Sequence, residues 1–175
     1  MVTNTPLPEG IEFRKVNSES DLDYAYDLFK RLTKSFVEEL AGEWPEEHQK
    51  KFFPTIFLIS GTRMVFHDDK PVGCFSIVEK PDEIKLQSVY IEPAFQGSVI
   101  ARRMLQLALD KAHEARKPLQ LDVLSSNHRA YRLYQLIGFK TFSESKDGWV
   151  REYQTRHKDT FCYAKKFNPS HAFPA

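Results

Sequence analysis

Leu86-Gln87-Ser88-Val89-Tyr90-Ile91-Glu92-Pro93-Ala94-Phe95-Gln96-Gly97-Ser98-Val99-Ile100-Ala101 takes the chain from an apolar run, through a proline turn, into a small-residue loop and then a helix. Leu86–Ile91 reads as a strand and Glu92-Pro93-Ala94 as the turn that ends it. Gly97 and Ser98 then fall where the first N–H groups of the next helix have no intrahelical partner, and where the positive end of the helix dipole attracts an anion. Beyond them Ile100, Met104 and Leu107, with Ala101, Leu105, Ala108 and Ala112 on the adjoining stripe, recur at helical spacing and can pack on a sheet. That packing would hold the loop in place.

Working outward, strands are expected at Ile11–Val16, Thr62–Phe66, Val72–Glu79 and Glu83–Ile91, with turns at 67–71 and 80–82. The last three form an antiparallel meander. Before them, Asn17-Ser18-Glu19-Ser20-Asp21 offers caps to a long helix marked by Leu22, Ala25, Tyr26, Phe29, Leu32 and Phe36. Gly42 and Pro45 interrupt it, and a shorter helix over Glu46–Phe53 should stop near Pro54. After the loop come a helix from Val99 to Arg116, a strand at Leu119–Leu124, a helix from Asn127 to Ile137, and strands at Phe139–Ser143 and Thr160–Phe167. The fold class is therefore α/β (α+β), a mixed and mostly antiparallel sheet with helices on its faces.

A chain of 175 residues with 41% hydrophobic and 28% charged content can bury one core, so one domain is expected over 1–175, with loose ends at 1–10 and 168–175. The 25 basic and 24 acidic residues are interspersed, which gives no electrostatic footprint for nucleic acid or a membrane surface. No apolar run approaches the ~20 residues that span a bilayer. Cys74 and Cys162 are too few for a disulfide framework or a cysteine metal site, and a reducing, cytoplasmic setting is expected. Nothing points to a metal.

The second informative stretch is Asn127-His128-Arg129-Ala130-Tyr131-Arg132-Leu133-Tyr134, running to Gly138-Phe139. Asn127 caps a helix whose Ala130, Leu133, Tyr134 and Ile137 share one face, which turns Tyr134 inward. On this pattern alone, Tyr134 is equally at home as a core tyrosine with a bonded hydroxyl.

Together the two stretches resemble the GNAT N-acetyltransferase family. Leu86–Leu109 is similar to its pattern of strand, proline, aromatic and then Gln/Arg-x-x-Gly-x-Gly/Ala, with Gln96 and Ala101 at the first and last defined positions. Asn127-x-x-Ala130-x-x-Leu133-Tyr134-x-x-x-Gly138-Phe139 matches its second motif. The resemblance implies a GNAT-like fold and acetyl-CoA as cosubstrate. It also implies cofactor contacts from Gln96, Gly97, Ser98, Val99, Ile100, Ala101 and Asn127, and from the strand residues Val89, Tyr90 and Ile91. Tyr134 becomes the catalytic acid that protonates the departing thiolate.

Val99 departs from the family, which usually has a glycine there. A position that needs positive φ would disfavour a β-branched residue, whereas a helical φ would leave the Val99 N–H available and the side chain turned away.

The implied reaction is direct attack of an amine on a thioester, polarised by an N–H of Val89–Ile91, with no covalent enzyme intermediate. The acceptor would be a small-molecule or peptide amine, and the protein a monomer or homodimer. No base is assigned. Glu83 and Glu92 flank the strand but read as turn residues, the position that carries a carboxylate in some members falls on Lys85 or Gln87, and His157 reads as surface. Phe29, Phe36, Trp44, Phe52, Phe53 and Phe57 could line an acceptor pocket or simply form core. Asp147, Glu152 and Asp159 could meet a cationic amine. A non-catalytic module of the same fold, binding a ligand or partner, is the alternative reading. An unrelated phosphate-binding protein is disfavoured, because neither a Gly-x-x-x-x-Gly-Lys-Ser/Thr loop nor a dinucleotide fingerprint is present.

Overall fold

In the computed structural model, residues 7, 9–124, 127–136, 139–145 and 160–165 are described. The elements are β1 (Ile11–Lys15), α1 (Glu19–Ala41), α2 (Glu46–Phe57), β2 (Thr62–His67), β3 (Lys70–Glu79), β4 (Ile84–Ile91), α3 (Val99–Ala115), β5 (Leu119–Leu124), α4 (His128–Leu136), β6 (Lys140–Ser145) and β7 (Thr160–Lys165). A short 3-10 turn, Pro93–Phe95, joins β4 to the loop before α3. The strands form one sheet in the order β1-β2-β3-β4-β5-β7-β6. Every neighbouring pair is antiparallel except β4 with β5.

Strand alternation divides the core into two layers. Met64, Cys74 and Tyr90 face α1 and α2, where they meet Ala25, Leu28, Phe29, Phe53 and Phe57. Their chain neighbours Val65, Phe75 and Ile91 face the other way, onto Ile100, Met104, Leu105, Ala108 and Ala112 of α3. Leu107, expected in that stripe, is 42% exposed. At 100° per residue the buried positions centre on Ala108, which leaves Leu107 at the rim. Burial holds the Cys74 thiol well above its ordinary pKa.

Among the boundaries that differ from the sequence expectation, two have a visible cause. The helix α2 continues through Pro54 to Phe57, because Phe53 and Phe57 lie one turn apart and stack at 5.2 Å inside the core. The turn between β2 and β3 is only Asp68-Asp69, both at positive φ (48° and 61°). This is the two-residue geometry that suits the twist of a hairpin. Pro71 therefore belongs to β3, opposite Phe66 beside a register shift.

Two irregularities shape the centre of the sheet. In the β3–β4 ladder Ser76 pairs with Ser88 but Ile77 with Leu86, so Gln87 is an extra, bulged residue. The described β4–β5 pairing covers only Ile84↔Leu119, Lys85↔Gln120 and Leu86↔Leu121. Beyond that register β5 pairs on to Leu124 with β7, while β4 keeps β3 as far as Ile91. The two parallel strands thus part directly after the bulge.

Candidate functional site

The gap between β4 and β5 has a defined polarity. The Glu92 N–H donates to Val72 O of β3 at 2.9 Å. Backbone groups alternate along a strand, so the Tyr90 N–H also points to β3, and those of Val89 and Ile91 point to the open side. The Tyr90 ring is buried on the opposite layer, edge-on to Phe29 at 5.4 Å. Of the three strand residues expected at the cofactor, Val89 and Ile91 present donors to the gap and Tyr90 supports them from behind.

At the end of β4 the chain enters a loop held at both sides. Gln96 Nε2 donates to Ile91 O at 3.2 Å, and its Oε1 accepts from Arg129 Nη1 of α4, also at 3.2 Å. Gly97 has φ +74°, a conformation costly for any residue with a Cβ. Ser98 caps α3, its hydroxyl accepting from the Ile100 N–H at 3.2 Å. The N–H groups of Gly97, Val99 and Ala101 carry no backbone bond among the described residues. They lie together at the positive end of a helix of 17 residues.

Val99 is the first helical residue, at negative φ, with its side chain 45% exposed. The left-handed backbone that the loop requires falls on Gly97 instead. Val99 therefore has the unpaired N–H of any first-turn residue, and its side chain is partly exposed to solvent.

Across the gap, Asn127 caps α4, its Oδ1 accepting from the Ala130 N–H at 3.2 Å. Tyr134 and Ala130 pack on the α3-side core, as Val89, Phe95 and Ala101 do. The Tyr134 ring meets Phe139 edge-on at 5.7 Å. Burial raises its phenol to about 12, so the hydroxyl is protonated at neutral pH. The helix α4 meets the loop before α3 through the Arg129–Gln96 bond.

Glu92 is not a solvated turn residue. It receives Arg31 Nη2 at 2.7 Å, Arg31 Nη1 at 3.1 Å and the Tyr24 hydroxyl at 3.0 Å. The guanidinium holds its carboxyl below the usual range, so it is a poor base and a firm tie between α1 and the end of β4. Glu83 closes the β3–β4 turn on Lys80 at 3.0 Å. Phe29, Phe53 and Phe57 are core, and Phe52 lines a cavity. Asp147, Glu152, His157, Asp159 and Gly138 lie outside the described residues.

Two features escaped the sequence reading. Arg129 stands within the second motif, yet only the fold brings it to Gln96 and within 4.0 Å of where a Cβ on Gly97 would lie. Lys85 is paired to Asp122 of β5 at 2.7 Å, at the point where the strands part.

Comparison with known proteins bears on the fold and the family. No curated protein sequence matches the chain at a significant level. An acetyltransferase of Streptococcus agalactiae superimposes with a TM-score of 0.67 at 17% identity, over 91% of this chain and 99% of that one. A GNAT family acetyltransferase of Elizabethkingia anophelis, solved with acetyl-CoA bound, gives 0.62 at 15% identity, over 91% and 100%. The PaiA N-acetyltransferase of Thermoplasma acidophilum, in complex with coenzyme A, gives 0.63 at 20% identity, over 90% and 99%. These likenesses establish the fold. The sequence model of the acetyltransferase (GNAT) family matches residues 26–139, from α1 to the start of β6, and the chain belongs to that family.

Proposed function

We propose that this protein is an N-acetyltransferase that transfers the acetyl group of acetyl-CoA directly to a primary amine within a ternary complex. The observation that carries the reading is the parting of β4 from β5 after Leu86↔Leu121, which leaves the Val89 and Ile91 N–H groups on an open edge. That edge leads to the Gly97–Ala101 cradle. Family membership and the cofactor-bound relatives support acetyl-CoA as the donor.

The residues fit that cosubstrate. The N–H groups of Gly97, Val99 and Ala101 suit a diphosphate, and Arg129 adds a cation beside them. The Val89 N–H would stabilise the oxyanion that forms when the amine attacks the thioester carbonyl. As the new C–N bond forms and the C–S bond breaks, Tyr134 gives its proton to the thiolate, and the proton lost by the amine restores the phenol through solvent.

Isothermal titration with acetyl-CoA, CoA and ATP tests the reading before any acceptor is known. Micromolar affinity for acetyl-CoA, about −8 kcal/mol, with none for ATP is the expected result. Absence of acetyl-CoA binding would leave the fold as a non-catalytic module.

A further inference from the structure

Gly73 lies in β3 opposite Ile91, the last residue of β4, and is buried. A Cβ built there would sit 2.5 Å from Tyr90 O and 3.2 Å from Ile91 Cα, so any side chain would overlap the backbone of β4. Its φ lies outside the left-handed region, so the reason for a glycine is the close approach of two backbones rather than conformational freedom. One residue earlier, Val72 O accepts the Glu92 N–H at 2.9 Å. The missing side chain and this bond together draw the end of β4 onto β3.

The consequence reaches the β4–β5 opening because the end of β4 can yield in one direction. Tyr90 is buried in the α1/α2 layer and Ile91 in the α3 layer, so both faces of the strand end are packed. On the far side of β3, fully buried Val65 of β2 pairs with Gly73 and holds β3 in place. The described pairing of β4 with β5 stops at Leu86↔Leu121, and no described strand pair backs β4 beyond it on that side. A wider separation of β3 from β4 therefore pushes Tyr90 and Ile91 into the opening. Bringing an added carbon at Gly73 to ordinary contact distance takes about 1 Å, the scale at which misplaced groups lose rate. The Val89 and Ile91 N–H groups would move with the strand, and so would Ile91 O, which holds Gln96.

We propose that Gly73 is a positioning residue for the transfer: without a side chain, it lets β3 hold the end of β4 back from β5, and so sets the width of the opening and the aim of the Val89 N–H. The proposal rests on the transfer reading above and adds to it a residue on the strand behind the donors.

The probe is acetyl-CoA isotopically labelled at the thioester carbonyl carbon, whose infrared band falls in frequency when a donor reaches the oxygen. Spectra at saturating acetyl-CoA need no acceptor, and a change in affinity does not enter them. In the wild type the bound band should lie below that of free acetyl-CoA. Gly73→Ala should lose at least about half of that shift, because a hydrogen bond weakens steeply with distance and angle. Leu28→Ala, in the α1 core, should lower the melting temperature at least as far and keep the full shift. A wild-type shift in Gly73→Ala, or an equal loss in Leu28→Ala, overturns the proposal. Should Gly73→Ala fail to fold, Glu92→Pro removes the bond to Val72 O at a φ of −50° that proline accepts, and Glu92→Ala controls for the lost side chain. Glu92→Pro should lose at least about half of the shift seen in Glu92→Ala, and equal bands overturn the proposal. A wild type that binds acetyl-CoA without any shift also overturns it. A wild type that does not bind acetyl-CoA removes the transfer reading itself, and titration separates these two results.

Discussion

Arg129 and Gln96 are joined side chain to side chain at 3.2 Å, although they belong to different elements on either side of the parted strands. Gln96 continues the link to Ile91 O, so the first turn of α4, the β4–α3 loop and the end of β4 are connected by two hydrogen bonds. The loop that would hold the diphosphate is thereby fixed before any ligand arrives, which reduces the ordering cost of binding.

Arg129 is exposed and can turn from Gln96 to an anion in the cradle. Arg129→Ala should weaken acetyl-CoA binding about tenfold, the lower range for a charge-assisted bond. Titration with CoA and with dephospho-CoA locates the contact. An equal loss for both ligands assigns Arg129 to the diphosphate, a loss for CoA alone assigns it to the 3′-phosphate, and no loss for either removes it from the site.

Gly97 and Val99 should respond in opposite ways to substitution. A Cβ at Gly97 meets nothing closer than Arg129 Nη2 at 4.0 Å, so the penalty of Gly97→Ala comes from φ +74° alone, about 1 kcal/mol of stability with a weaker cradle. Val99→Gly, which restores the residue usual in the family, should leave acetyl-CoA affinity within about twofold, because the position is already helical. Thermal melts and titration of both variants check this. A large gain in affinity for Val99→Gly would show that the valine obstructs the loop.

Most of the fold was legible because its apolar residues repeat at strand or helix spacing, as in β4 and α3. The misread boundary at Pro54 follows from reading a local breaker without its tertiary compensation, the Phe53–Phe57 stack. The helix start after the β4–α3 loop was legible from Gly97 and Ser98, but whether Val99 fits there depended on which residue takes positive φ, a property of the folded loop. Arg129–Gln96 and Lys85–Asp122 join residues 33 and 37 apart in number, through α4 against the loop and through the β4–β5 register. No periodicity within either segment encodes such pairs.

Tyr134 has the attributes of a proton donor that stays loaded. Its phenol, raised to about 12 by burial, remains protonated throughout the neutral range. Tyr134→Phe should lower kcat by about a hundredfold with acetyl-CoA affinity unchanged, the range of a lost general acid. In the wild type, kcat should show no alkaline fall from this group below about pH 10, because an acid loses function only as pH approaches its pKa. Turnover of Tyr134→Phe equal to wild type with a good acceptor would remove the role.

Glu92 gives the chain a pH-dependent tie between α1 and β4. Its folded pKa is depressed first by the hydrogen bonds from Arg31, against the opposing effect of partial burial, and then by the bond from Tyr24 and the charge of Arg31. A depressed carboxyl contributes stability that is complete above its unfolded value, about 4.3, and is lost as pH falls through the folded value. Glu92→Gln keeps an acceptor for Tyr24 but removes the charge that faces Arg31. The variant should therefore melt below the wild type at pH 7, and the gap should close as pH is lowered from about 5 to 3. The side chains are 44% exposed at Arg31 and 24% at Glu92, so solvent screens the pair and the gap at pH 7 should be small, about 2 °C. Melting curves recorded by circular dichroism across that range decide the matter: a gap that persists unchanged at pH 3 would mean that Glu92 acts through packing rather than through its charge.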